Sequence, residues 1–250
     1  MTRVRRLALI LAAVTAVAGM SVIGGAQGRA YRPVTDDMLR NPSPDDWLMF
    51  SRTYDAQRFS PLTQITKQNV GQLRMAWTRG LAAGSQETTP IVYRGVMYVS
   101  TPSASLQALD ATTGDLIWEH KRPGLTTGGG NTKGIAIADD MVFYTAPGSM
   151  VVALDARTGQ QRWAMKVDAR SHSGGTIVVE GKVISSGSCN THESCYISAH
   201  DAKTGKELWR QTAHQGKPWN RRHNMMSRRP RRAARRCSGS WGPGRSRLTN

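Results

Sequence analysis

Ala108-Leu-Asp-Ala-Thr-Thr-Gly-Asp-Leu-Ile-Trp118 is followed by Ala153-Leu-Asp-Ala-Arg-Thr-Gly-Gln-Gln-Arg-Trp163 and by Ala199-His-Asp-Ala-Lys-Thr-Gly-Lys-Glu-Leu-Trp209. The three phrases start 153 − 108 = 45 and 199 − 153 = 46 residues apart, and each follows a β-branched run. A fixed period of this length marks a repeated supersecondary unit, and the β-branched runs make that unit a small sheet. In Asp-Ala-x-Thr-Gly the Asp and Thr side chains suit bonds to the backbone of a tight turn, and Gly supplies a positive φ. The phrase therefore joins two antiparallel strands, the second of which carries the Trp. A large ring at a fixed outer-strand position can bury against the next sheet, and its indole N–H then needs a partner. The pattern predicts an all-β chain, a β-propeller of four-stranded antiparallel blades docked through Trp.

The intervening sequence supplies the other two strands of each unit. Thr89-Pro-Ile-Val-Tyr-Arg-Gly-Val-Met-Tyr-Val-Ser and Thr176-Ile-Val-Val-Glu-Gly-Lys-Val-Ile-Ser read strand, Gly turn, strand. Gly134-Ile-Ala-Ile-Ala-Asp-Asp-Met-Val-Phe-Tyr-Thr repeats this with Asp-Asp at the turn. Asn69-Val-Gly-Gln-Leu-Arg-Met-Ala-Trp77 reads as a strand ending in an earlier Trp, so a partial unit precedes the three complete ones. Few helices are expected; a short one fits Thr35 to Leu39, where Thr and paired Asp suit a helix start.

The net charge of +17 is not spread evenly. Residues 216–250 hold Lys217 and ten Arg with no Asp or Glu, so they contribute +11. The other 215 residues carry 17 − 11 = +6, which removes a general nucleic-acid-binding surface from the functions considered. The tail has no strand alternation and reads as disordered, with the composition of a GC-rich gene translated out of frame. Met1-Thr-Arg-Val-Arg-Arg, the apolar stretch Leu7 to Ala18 and the small residues after it have the anatomy of a secretory signal peptide over residues 1–30. The partial propeller is expected over 31–215, in an exported, periplasmic chain with no stable membrane span once the signal is cleaved. In that compartment Cys189 and Cys195 read as the ends of a disulfide-closed loop. A Cys/His/Glu metal cluster is the competing reading of Ser-Cys-Asn-Thr-His-Glu-Ser-Cys, although its spacing matches no common zinc pattern.

Longer stretches resemble one family. Trp47, Arg58-Phe-Ser-Pro-Leu, Asn69-Val-Gly-Gln-Leu, Gln86-Glu-Thr-Thr-Pro-Ile-Val, Gly95-Val-Met-Tyr-Val, Asn131-Thr-Lys-Gly-Ile-Ala-Ile, the three Trp phrases and Gly181-Lys-Val-Ile-Ser occur in unbroken order. Over roughly residues 35–214 this resembles the pyrroloquinoline quinone (PQQ)-dependent alcohol and methanol dehydrogenases, eight-bladed propellers of more than twice this length. By that resemblance about four blades are present here.

The resemblance implies cofactors PQQ and Ca2+, a small alcohol as substrate and cytochrome c or a similar protein as electron acceptor. Glu87 looks like the acid that contacts the quinone cofactor. Lys133 falls where the family usually has an Arg that pairs with a PQQ carboxylate; Lys keeps the charge and loses the bidentate fork. Ser173, with Gly174, sits where a cofactor-bonding Thr is expected, and Glu193 resembles the acid that ligates the catalytic calcium. The adjacent Cys-Cys pair of many members is replaced by Thr127-Gly128. The family's Asp base, second calcium ligand and Trp floor lie in later blades, so no catalytic residue is assigned and the chain alone is expected to be inactive. The alternative is a non-catalytic propeller of the same repeat class, serving as an envelope scaffold, which would need neither Glu87 nor Lys133. His172, His192 and His200 show no spacing that makes a joint site.

Overall fold

The computed structural model describes residues 30–102, 105–122, 133–167, 175–187 and 195–212. The proposed signal peptide, the basic tail, Ser173, Gly174, Cys189 and Glu193 lie outside the described residues. Three four-stranded antiparallel sheets follow one another, each a simple meander. The first contains β1 (Ile91–Tyr93), β2 (Val96–Ser100), β3 (Leu106–Asp110) and β4 (Leu116–His120). The second contains β5 (Ile135–Ala138), β6 (Met141–Ala146), β7 (Met150–Asp155) and β8 (Gln161–Lys166). The third contains β9 (Ile177–Val179), β10 (Lys182–Ser186), β11 (Tyr196–Asp201) and β12 (Glu207–Thr212). These are the blades that the period predicts.

Each repeated phrase builds the same local structure. The β3–β4, β7–β8 and β11–β12 ladders shift register between Ala108 and Leu109, between Ala153 and Leu154, and between Ala199 and His200. Such a shift increases local twist and re-aims the side chains that follow. Asp110 Oδ1 then accepts the backbone N–H groups of Thr112 and Thr113 at 2.8 and 3.3 Å. Asp155 accepts those of Arg157 and Thr158, and Asp201 those of Lys203 and Thr204. The turns close on Gly114, Gly159 and Gly205 with φ of 77°, 71° and 75°, a region that favours glycine.

The Trp docks are also regular. Trp77, Trp118 and Trp163 lie against Gly114, Gly159 and Gly205 of the following turn. Their indole N–H groups donate to the carbonyls of Ala111, Ala156 and Ala202 at 3.1, 3.1 and 3.0 Å. Tyr98 adds its hydroxyl to the Ala156 carbonyl and packs against Trp118, so two rings seal that junction. Trp209, at the end of the series, stays 45% exposed, and β12 is exposed along its length.

One expectation is corrected at the front of the series. Residues 69–77 form no strand: Val70–Gln72 is a single 3-10 turn and the chain then runs on as irregular backbone. Phe59, Ile65, Leu73 and Met75 stay exposed, so this segment has the strand composition without a sheet beside it. Trp77 nevertheless docks as the later copies do, because the dock needs only the neighbouring turn.

A strap formed by residues 31–54 ties the sheets together. Helix α1 (Asp36–Arg40) starts where expected, with the Thr35 hydroxyl accepting the Met38 N–H. Before it, Val34 pairs with Asp139 through two backbone bonds of 2.9 and 2.8 Å, and Tyr31 donates to the Asp139 carbonyl. After it, Trp47 pairs with Val92 of β1 through two bonds of 2.8 Å, and the Tyr54 hydroxyl reaches the Val178 carbonyl of β9. All three first-strand hairpins are thereby engaged. Leu39, Leu48 and Met49 join the inner strands in one buried core.

Candidate functional site

The strap crosses the hairpin ends of the first strands, so the candidate residues lie at the opposite ends. Glu87 precedes β1 by four residues and Lys133 precedes β5 by two. The structure brings them together: Lys133 Nζ lies 3.4 Å from Glu87 Oε2, with the side chains 52% and 42% exposed. Such a half-exposed pair contributes only about 0–1 kcal/mol, so its main consequence is placement of charge. The corresponding position before β9 is held by Gly175, next to Gly174 and Ser173 outside the described residues.

Both partners leave pinned backbone. On either side of Glu87, Gln86 Nε2 donates to the Ser100 carbonyl at 2.6 Å, and the Thr88 hydroxyl shares a hydrogen bond with the Ser100 hydroxyl. Gln86 and Thr88 thus anchor the chain on both sides of Glu87 to the end of β2. Lys133 is followed by Gly134, whose backbone meets that of Gly175: a Cβ on Gly175 would lie 2.6 Å from Gly134 Cα. Only residues without a side chain allow β5 and β9 to begin this close together. Thr176 also donates its hydroxyl to the Phe143 carbonyl, securing the start of β9 to the second sheet.

The sequence resemblance marks Glu87 and Lys133 but not the anchors beside Glu87. The signal was available as alternation, since Gln86 and Thr88 flank Glu87 with groups suited to backbone and hydroxyl partners. His200, on which no role was placed, is fully buried and shares a 2.9 Å hydrogen bond with Ser198. It is a packed side chain. Cys195 is disulfide-bonded, and the Glu193 position beside it lies outside the described residues. Among the described residues, no three His, Cys, Asp or Glu side chains gather to hold a metal ion. Among those same residues no helix is long and apolar enough to cross a membrane.

The arrangement can therefore receive an anionic group at Lys133 and a hydrogen-bond donor at Glu87, at one mouth between converging first strands. Residues 47–139 match the family model described as glucose/ethanol/alcohol dehydrogenase, beta-propeller domain. Over these residues the chain carries the beta-propeller domain of the PQQ-dependent alcohol dehydrogenases. It is 39% identical over 180 residues to quinohemoprotein alcohol dehydrogenase ADH-IIG of Pseudomonas putida, a match covering 67% of this chain and 25% of that protein. The solved structure of ADHIIG from Pseudomonas putida HK5 superposes with a TM-score of 0.61 at 35% identity, covering 73% of this chain and 29% of that one. A europium-containing methanol dehydrogenase gives 0.62 at 28% identity, covering 70% and 34%. The chain thus spans about a quarter of the length of the curated relative it matches. What the chain shares with these solved dehydrogenases is the architecture of Trp-docked four-stranded sheets.

Proposed function

We propose that this chain contributes the first blades of an exported, periplasmic PQQ-dependent alcohol dehydrogenase, which oxidises a small alcohol and passes electrons to cytochrome c or a similar acceptor. The observation that carries the reading is the 3.4 Å approach of Lys133 to Glu87 where the first strands converge. Lys133 fits a ligand carboxylate, since an ammonium is a compact point charge that attracts anions. Glu87, held beside it, fits a donor group of the same ligand. Ser173 and Gly174 complete this edge of the proposed PQQ site, and Glu193 is assigned to Ca2+, a hard cation suited to carboxylate oxygen. When bound, PQQ supplies the two-electron acceptor that no amino-acid side chain provides. The chain's own residues bind and orient it; the general base is not assigned to any residue of this chain. Pairing of Cys195 with Cys189 belongs to the same proposal, as the staple of the loop that carries Glu193.

Titration of the full chain with PQQ, followed by tryptophan fluorescence, tests the reading. Saturable binding is expected, weakened about tenfold by Lys133→Gln, the loss of one charge-assisted contact of about 1.4 kcal/mol. A folded chain that binds no PQQ would instead support the non-catalytic scaffold.

A further inference from the structure

We propose that Glu87 is a built-in competitor for the cation of this site, so that an anionic ligand binds by exchanging its own carboxylate for that of Glu87 on Lys133. The inference rests on the reading that Lys133 receives a ligand carboxylate. Among the described residues, Glu87 is the carboxylate paired with Lys133, and the two side chains, each roughly half exposed, present a pair of no net charge to an incoming group. Neither partner can withdraw its backbone. Gln86 and Thr88 hold the chain on both sides of Glu87 to Ser100, and the Gly134–Gly175 contact fixes the start of β5 next to Lys133. An exchange on Lys133 therefore turns on the direction of the two long side chains.

The identity of the cation makes the competition matter. A guanidinium offers five donors in a planar fork and can serve two carboxylates in one plane, whereas an ammonium concentrates its charge at one point. With Lys at position 133, ligand and Glu87 draw on the same charge. Every anion that reaches Lys133 must first displace Glu87, so Glu87 lowers affinity for anions in general and favours ligands with more than one carboxylate.

The test is a binding matrix on the full chain. Wild type, Glu87→Gln, Lys133→Gln and the double variant are each titrated with PQQ and with benzene-1,3,5-tricarboxylate, a redox-inert probe, while thermal melts confirm folding. Glu87→Gln is expected to bind both probes about threefold to fivefold more tightly, the range set by an exposed ion pair. In the Lys133→Gln background the same change is expected to have no effect. Equal or weaker binding by Glu87→Gln, with Lys133→Gln still impaired, overturns the competition and leaves the site reading standing. Unimpaired binding by Lys133→Gln overturns the site reading itself.

Discussion

The indole N–H of Trp118 donates to the Ala156 carbonyl at 3.1 Å while its ring lies flat against Gly159, where a Cβ would come 2.5 Å from Cε3. Gly159 therefore serves two needs at once. Its φ of 71° suits the turn, and its missing side chain makes room for the ring of the preceding sheet. The repeated phrase thus encodes both halves of a dock, the Trp of one sheet and the seat offered to its neighbour.

Gly159→Ala should destabilise the fold by at least the cost of a left-handed alanine, about 1–2 kcal/mol, and by more where the Trp118 ring must move. Trp118→Ala should cost about 3–5 kcal/mol, as expected for a buried aromatic. Trp209→Ala, at the same position of the phrase but 45% exposed, should cost less than about 1 kcal/mol. Urea unfolding of the three variants checks the order. A Trp209 variant as damaged as the Trp118 variant would contradict the view that the dock, not the residue type, carries the energy.

The blades were legible because their signal is local and repeated. Asp, Gly and Trp at fixed offsets specify a turn and a dock that recur whatever surrounds them. The missing strand at 69–77 shows the limit: Leu73, Met75 and Trp77 have strand-like composition, but a strand exists only when another backbone pairs with it. The strap was illegible for a related reason, since Val34 meets Asp139 and Tyr54 meets Val178 across more than a hundred residues, with no pattern linking them. At the site, Glu87 and Lys133 were visible through family resemblance alone. Their anchors, Gln86 and Thr88, carry no chemistry of their own and are marked only by flanking Glu87.

Asp155 gives a test that separates its phrase from the other two. Burial pushes its carboxyl up, but hydrogen bonds from Arg162 and Arg157, with the N–H groups of Arg157 and Thr158, outweigh this and hold it well below the usual carboxylate range. The carboxylate is nearly buried and both guanidinium groups are about half exposed. Asp155→Asn keeps the turn geometry and removes the charge, so it should cost about 2 kcal/mol at neutral pH. A folded pKa below the unfolded value means that this stability is fully present above about pH 4 and is lost as pH falls through the folded value. The gap between wild type and variant in urea midpoint should therefore hold from pH 7 to pH 5 and narrow toward pH 2. A gap that widens in acid would show that the arginines do not stabilise the charged form.

His200 makes the opposite demand on pH. It replaces the Leu of the other two phrases, at Leu109 and Leu154, and is fully buried with Ser198 as its hydrogen-bond partner. Burial lowers its pKa; Glu207 opposes this and Arg210 adds to it. The unfolded chain then takes up a proton near pH 6.5 that the folded chain resists, so stability falls as pH drops from about 7 through that value toward the folded pKa. The second phrase supplies a ready replacement, because Val152 and Leu154 occupy the positions of Ser198 and His200. The double variant Ser198→Val, His200→Leu should match wild type or exceed it at pH 7.5, since an apolar pair replaces a buried polar one without leaving either group unpartnered. Between pH 7.5 and pH 5.5 its melting temperature should fall less than that of wild type. His120, whose pKa is also lowered by burial, keeps part of the slope in both proteins. Equal slopes would mean that His200 takes up its proton alike in the folded and unfolded chain over this range, and that the acid sensitivity comes from elsewhere.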